Sequence, residues 1–220
     1  MLKIRFNVKS VIFDMDGVIT NTMPDHYRSW KTVLGEEGLH VTYEDIYKRE
    51  GQPGISSVRE LSKKYQIDID EKRAAQILLR KENLFKRIVK TRFIAGARNF
   101  VKRLHRNDMQ LALVTGTSRH ELIQILPKSL QDLFSVIVTG NDVKNGKPHP
   151  EPYLRSLKGL KIKPSEAVVI ENAPFGIRSA KQAGIKCLAL ETSLSKKYLS
   201  EADAIFASIK ELQSKVLFCN

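Results

Sequence analysis

Short runs of adjacent apolar residues recur along the chain at Val11-Ile12-Phe13, Leu111-Ala112-Leu113-Val114, Val136-Ile137-Val138, Ala167-Val168-Val169-Ile170, Cys187-Leu188-Ala189-Leu190 and Ala204-Ile205-Phe206. Runs without polar alternation predict strands buried on both faces, and the helical stretches between them predict a parallel sheet in an α/β fold. One interval breaks the rhythm. The first strand ends at Asp14, yet the next does not begin until about Gln110.

That interval carries helical periodicity instead. Met23 to Glu37 predicts a helix led by Pro24, with Trp30, Val33 and Leu34 among its apolar positions and Trp30 read as core. Tyr43 to Glu50 predicts a second helix capped by Thr42, followed by a turn at Gly51-Gln52-Pro53-Gly54. Ser56 to Tyr65 and Asp70 to Lys90 supply a third and a fourth. The expected organisation is a Rossmann-like parallel-sheet core, residues 1–22 and 93–220, with a helical cap at 23–92 over the carboxyl edge of the sheet. Its hinges are expected near Asn21–Pro24 and Thr91–Gly96.

Composition narrows the class. The 220 residues are 42% hydrophobic and 28% charged, which excludes a disordered or collagen-like chain. No apolar run exceeds four residues, too short to cross a bilayer, and the basic start at Met1 to Lys9 lacks the apolar stretch of a secretory signal. Cys187 and Cys219 are the two cysteines, which fits a reduced cytoplasm rather than a disulfide scaffold. A cytoplasmic monomer with no membrane partner is expected.

Charge changes the picture locally. The net charge is +13, and between Lys72 and Arg106 twelve Lys and Arg residues accompany one acid, Glu82. Ala74, Leu78, Phe85 and Ile88/Val89 recur at helical spacing there, which predicts an apolar stripe with a solvated basic face. Aromatic residues that could stack on bases are sparse, so nucleic acid is disfavoured as a partner. A basic binding protein stands as the non-enzymatic alternative.

Ligands of open parallel sheets bind beyond the carboxyl ends of the strands. Strand ends here read Asp14-Met15-Asp16-Gly17-Val18, Thr115-Gly116-Thr117-Ser118 and Glu171-Asn172-Ala173-Pro174, and Asn145-Gly146-Lys147-Pro148 follows the third strand. Two nearby carboxylates, a hydroxyl, an ammonium group and a carboxylate–amide pair suit phosphoryl transfer. That chemistry needs a nucleophile, a proton donor and neutralisation of phosphate charge.

The four motifs in this order resemble the haloacid dehalogenase-like superfamily, within the branch of β-phosphoglucomutase and its phosphatase relatives. The resemblance runs from about Lys9 to Lys210. It implies Asp14 as the nucleophile that forms an aspartyl-phosphate and Asp16 as general acid/base. Gly17, Thr20, Thr115, Gly116 and Lys147 would bind the substrate phosphate. Mg²⁺ would be held by Asp14, the Asp16 carbonyl and Asn172, with Glu171 supporting those ligands. Motif four commonly reads Glu-Asp, so Asn172 removes one negative charge and implies weaker metal binding. His26 either assists the leaving group or holds the hinge. Glu50 either meets the far end of the substrate or is an exposed helix-end charge. The resemblance thus implies a Mg²⁺-dependent phosphatase of a small phosphorylated metabolite, with a sugar-phosphate mutase, an inorganic pyrophosphatase and an inactive relative as alternatives.

Overall fold

Eight strands follow one another among the described residues of the computed structural model: β1 (Ile4–Asn7), β2 (Ser10–Phe13), β3 (Gln110–Val114), β4 (Val136–Val138), β5 (Ala167–Glu171), β6 (Lys186–Leu190), β7 (Ala204–Phe206) and β8 (Val216–Cys219). The structure describes residues 3–219; residues 1, 2 and 220, at the outer limits of the expected core, lie outside them. All six apolar runs enter one sheet of order β4-β3-β2-β5-β6-β7, parallel throughout. β2 occupies its middle, with Ser10 paired to Gln110 on one side and to Ala167 on the other.

The α-helices of the described residues are α1 (Met23–Gly35), α2 (Tyr43–Tyr47), α3 (Gly54–Tyr65), α4 (Glu71–Ile88), α5 (Ala97–Arg106), α6 (Arg119–Ile125), α7 (Lys128–Gln131), α8 (Glu151–Leu160), α9 (Pro174–Gln182) and α10 (Ile209–Lys215). Because successive strand residues point to opposite faces, the sheet divides its side chains between two layers. Val11, Phe13, Leu113 and Ile170 pack with Phe100 and Leu104 of α5 and Leu122 of α6. Ile12, Val114 and Val169 pack with Tyr153 and Leu157 of α8 and Ile177 of α9. This is a three-layer α/β sandwich with all its strand ends facing one edge.

α1 to α4 gather a separate apolar cluster that includes Trp30, Leu34, Val58, Leu61 and Ile77. Thr42 and Asp45 form a reciprocal cap at the start of α2. The same Asp45 carboxylate accepts from Tyr65 at 2.8 Å and pairs with Lys64, tying α2 to α3. Burial alone would raise the Asp45 carboxyl. Lys64, Thr42 and Tyr65 outweigh it and hold the group well below the usual aspartate range. The two crossings between this helical unit and the sheet run side by side. Asn21 N donates to Arg92 O at 2.9 Å, and Arg92 pairs with Asp25 at 2.7 Å.

Three features depart from the sequence expectation. β1 and β8 form a second, two-stranded parallel sheet that joins segments from opposite ends of the chain, a pairing no local pattern announces. α2 ends at Tyr47 and continues as hydrogen-bonded turns to Gly51, which takes a left-handed φ of +79°. The basic stretch is not uniformly solvated: Arg73 and Arg80 pair with Glu36 and Glu37 in the turn after α1, and Lys81 is buried.

Candidate active site

Asp14 is the first residue beyond β2, and its N–H donates to Ile170 O of the neighbouring strand at 3.0 Å. The pairing carries Asp14 beside Glu171, the last residue of β5. Between them sits Lys147, 1% exposed, with Nζ 2.6 Å from Asp14 Oδ1, 2.7 Å from Glu171 Oε1 and 3.3 Å from Val114 O. Burial would lower this ammonium, but the two carboxylates hold it well above its ordinary value. Burial raises the Asp14 carboxyl to about 8; Lys147 opposes that rise, while Glu171 and Asp16 add to it.

Glu171 is fully engaged. Its Oε1 also accepts from Tyr153 Oη at 3.1 Å, and its Oε2 accepts from Asn172 N and Ala173 N at 2.7 and 3.1 Å. A Cβ at Gly176 would come within 1.6 Å of Oε1, so the start of α9 needs glycine there. Glu171 therefore orients Lys147 through a carboxylate with no vacant side.

Asp16 is equally buried and points into a ring of hydroxyls. Thr22 donates to Oδ1, while Thr117 and Thr115 donate to Oδ2 at 2.7 and 3.2 Å. His26 Nε2 stands 3.5 Å from Oδ1 and makes no hydrogen bond. Burial favours the neutral acid, but His26 and the hydroxyls of Thr22 and Thr117 hold the carboxyl down at about 2. His26 itself stacks on Phe85 at 4.0 Å, with Nδ1 3.2 Å from Lys81 Nζ; burial first and Lys81 second push its pKa down.

Two oxygens of this cluster remain buried without a partner, Asp14 Oδ2 and Asn172 Oδ1. The loop after β2 packs against the amide: a Cβ on Gly17, whose φ is +89°, would stand 2.2 Å from Asn172 Nδ2. Among the described residues no group of three His, Cys, Asp or Glu side chains forms a metal site. The free donors here are instead a carboxylate oxygen, Asp14 Oδ2, and an amide oxygen, Asn172 Oδ1, hard ligands that fit Mg²⁺.

A cavity of about 290 Å³ opens beside this cluster, between the helical unit and the sheet edge. Thr115 and Lys147 line it from the sheet edge, Trp30, Lys81 and Leu78 from the helices, and Glu50 from the turn after α2. Asp14 and Asp16 do not line the cavity themselves but bond to its lining residues Lys147 and Thr115. Gly51 seats the helical unit: a Cβ there would come 2.5 Å from Lys147 Cδ, and a Cβ on Gly116 would come 2.9 Å from Gly51 Cα. Burial and the nearby Asp16 and Asp14 charges raise Glu50 well above its ordinary value, against the pull of Lys81 and Lys147.

The structure gathers Asp14, Asp16, Gly17, Lys147, Glu171 and Asn172 at one sheet edge, and His26, Glu50, Thr115 and Gly116 along the cavity. Thr20 is a correction. Its hydroxyl donates to Met15 O at 3.1 Å and meets Thr22 Oγ1 at 3.2 Å, so it braces the turn and does not line the cavity. Glu50 is half-buried at the cavity wall rather than an exposed helix end. Sequence reasoning missed Thr22, Thr117, Tyr153, Ser193 and Lys81. Two left a trace: Thr117 stands in the strand-end run Thr115-Gly116-Thr117-Ser118, and Lys81 stands four residues before Phe85 and seven after Ala74, on the stripe that faces inward.

The haloacid dehalogenase-like hydrolase model matches residues 11–190. Over 186 residues the chain is 33% identical to a phosphorylated-carbohydrate phosphatase of Thermotoga maritima, covering 81% of this chain and 83% of that protein. It is 29% identical over 209 residues to validoxylamine A 7'-phosphate phosphatase of Streptomyces hygroscopicus, covering 93% and 96%. Among solved structures, a protein from Bacteroides vulgatus assigned provisionally as a β-phosphoglucomutase superimposes with a TM-score of 0.84 at 33% identity, covering 96% of this chain and 88% of that one. The chain belongs to the haloacid dehalogenase-like hydrolases, in their β-phosphoglucomutase-like branch.

Proposed function

We propose that the protein is a Mg²⁺-dependent phosphatase acting on small, hydroxyl-rich phosphate monoesters in the cytoplasm as a monomer. The observation that carries this reading is the asymmetry of Asp14: Oδ1 is bound to Lys147, while Oδ2 is buried and unpartnered. Magnesium would be held by Asp14 Oδ2, Asn172 Oδ1 and the Asp16 carbonyl, and would supply neutralisation of phosphate charge.

Asp14 attacks phosphorus in line, the ester P–O bond breaks, and an aspartyl-phosphate forms as the alcohol leaves. Lys147 and Thr115 bind the transferring phosphoryl oxygens. The leaving oxygen takes a proton from Asp16. A water then gives its proton to Asp16 and attacks phosphorus, releasing phosphate and restoring Asp14. In the seated geometry Asp16 is ionised, as the base step requires. Two of the groups that hold it so, Thr22 and His26, lie at the entrance to α1. Motion of residues 23–92 as a cap on 1–22 and 93–220 would withdraw His26, while the Thr22 and Thr117 hydroxyls stay with the sheet edge, and burial would then weigh more strongly toward the protonated acid.

The far end of the cavity favours a neutral polyol over a second phosphate. Lys81 is its buried cation, but Glu121, Glu50 and Glu82 all act on that charge. The phosphatase names of the two relatives support the same choice. The test is phosphate release from a panel of sugar and polyol phosphates and pyrophosphate, with Mg²⁺ and with chelator. β-Glucose 1-phosphate with its bisphosphate primer is included. Metal-dependent release from monoesters is expected. Conversion to glucose 6-phosphate with little free phosphate would make the protein a mutase instead.

A further inference from the structure

We infer that Ser193, in the turn after β6, is a positioning residue for the metal ligand Asn172, supplying the acceptor that lets the amide present its oxygen to the ion. The inference rests on the Mg²⁺-dependent reading above. A carboxylate at this position would need no such help, because both its oxygens can face a cation. An amide has one oxygen and one NH₂ end, and the NH₂ end repels a cation. When the oxygen faces inward, the NH₂ group faces the protein and must find an acceptor or remain unsatisfied.

Ser193 Oγ is that acceptor, 2.8 Å from Asn172 Nδ2. The opposite end of the amide, Oδ1, is buried and free of protein partners, as a ligand awaiting a cation must be. Space around the pair is closed on one side. A Cβ on Gly17 would stand 2.2 Å from Asn172 Nδ2 and 2.6 Å from Ser193 Oγ, so the β2 loop packs directly on both groups. The neighbouring Thr192 donates its hydroxyl to Gly17 O at 2.5 Å and pins the turn in place. The turn after β6 thus carries a hydroxyl matched to an amide at position 172. Partners that orient a ligand commonly change metal affinity about 10–100-fold when removed.

The test is calorimetric titration of the full-length protein with MgCl₂, without substrate, in four forms: unsubstituted, Ser193→Ala, Asn172→Asp and the double variant. Ser193→Ala should weaken Mg²⁺ binding about 10-fold when Asn172 is present. In the Asn172→Asp background the loss should be less than about 2-fold, because the carboxylate has no NH₂ group to satisfy. An equal loss in both backgrounds would show that Ser193 merely shapes the turn, and no loss in either would show that the amide is oriented without it. Each result overturns the inference while leaving the magnesium reading intact. Absence of saturable Mg²⁺ binding to the unsubstituted protein would end both. Should Asn172→Asp fail to fold, Ser193→Ala is compared with Ser193→Thr, which keeps the oxygen. Restored affinity in the Thr form supports the inference, and equal weakening in both overturns it.

Discussion

Gly116 of the sheet edge lies directly against Gly51 of the helical unit, close enough that a Cβ on Gly116 would meet Gly51 backbone atoms at 2.9, 3.1 and 3.2 Å. Backbone atoms cannot rotate aside as a side chain can. Gly116→Ala should therefore hold the two units apart without disturbing either apolar core. The expected result is a fall in kcat/KM of at least about 10-fold, as for a small misplacement of the reacting groups, with an unfolding midpoint close to that of the parent. An unchanged kcat/KM would mean that the Gly51 contact plays no part in the catalytic geometry.

Lys147 is buried between two carboxylates that, among the described residues, have no other cation within hydrogen-bonding distance. Removing it strands both. Lys147→Ala should cost about 3–5 kcal/mol of stability, the usual result of breaking a buried pair from one side, and abolish turnover. Adding Glu171→Gln to the same chain should recover part of the stability and none of the activity. Denaturant midpoints of the three proteins check this, and the prediction is wrong if the single variant is as stable as the parent.

Asp45 links acid stability to the helical unit. Its folded carboxyl lies below the ordinary aspartate range, so its contribution is fully present above the unfolded pKa of about 4. It is lost as pH falls below that value toward the folded pKa. Asp45→Asn should lower stability at neutral pH by about 1–2 kcal/mol through loss of the Lys64 pair and of the charge that strengthens the Thr42 and Tyr65 hydrogen bonds. The gap between parent and variant should then narrow below about pH 4. A gap that stays constant from neutral pH down to about one unit below the unfolded pKa would rule out the carboxylate as its source.

Asn172 leaves Asp14 as the one anionic side chain among the proposed magnesium ligands. A bound oxyanion restores the missing charge, so Mg²⁺ and inorganic phosphate should each tighten the other by the same factor, at least about 5-fold. Asn172→Asp should bind Mg²⁺ more tightly alone and show weaker coupling. Titrations of each ligand in the presence and absence of the other measure both quantities; independent binding would remove Asn172 from the shell.

Local pattern made the six-stranded sheet legible because strands buried on both faces must be apolar throughout, and the four inserted helices showed through their spacing. The candidate nucleophile and its neighbours showed because strand ends concentrate chemistry at one edge. What stayed hidden depends on distant pairing. β1 meets β8 across the whole chain, Thr117 reaches Asp16 only because β2 pairs with β3, and Thr22 only because the chain turns back toward Asp16 before α1. Lys81 was hidden for another reason. A lysine in a basic run reads as solvated, and its place on the inward stripe of α4 outweighs that reading only once Trp30 and Phe85 surround it, 5.5 and 4.8 Å from Nζ to ring centroids.

The central place of β2 sets an order of events during synthesis. This strand leaves the ribosome first among the six, is buried along its whole length, and pairs with β3 and β5, both of which emerge long afterwards. α1 to α4 emerge in the interval and can gather their own apolar cluster without waiting for the sheet. The nascent chain therefore carries an unpaired Ser-Val-Ile-Phe strand while its helical insert condenses. Closure of the sheet is a late, long-range step of the kind that slows folding and exposes chains to aggregation.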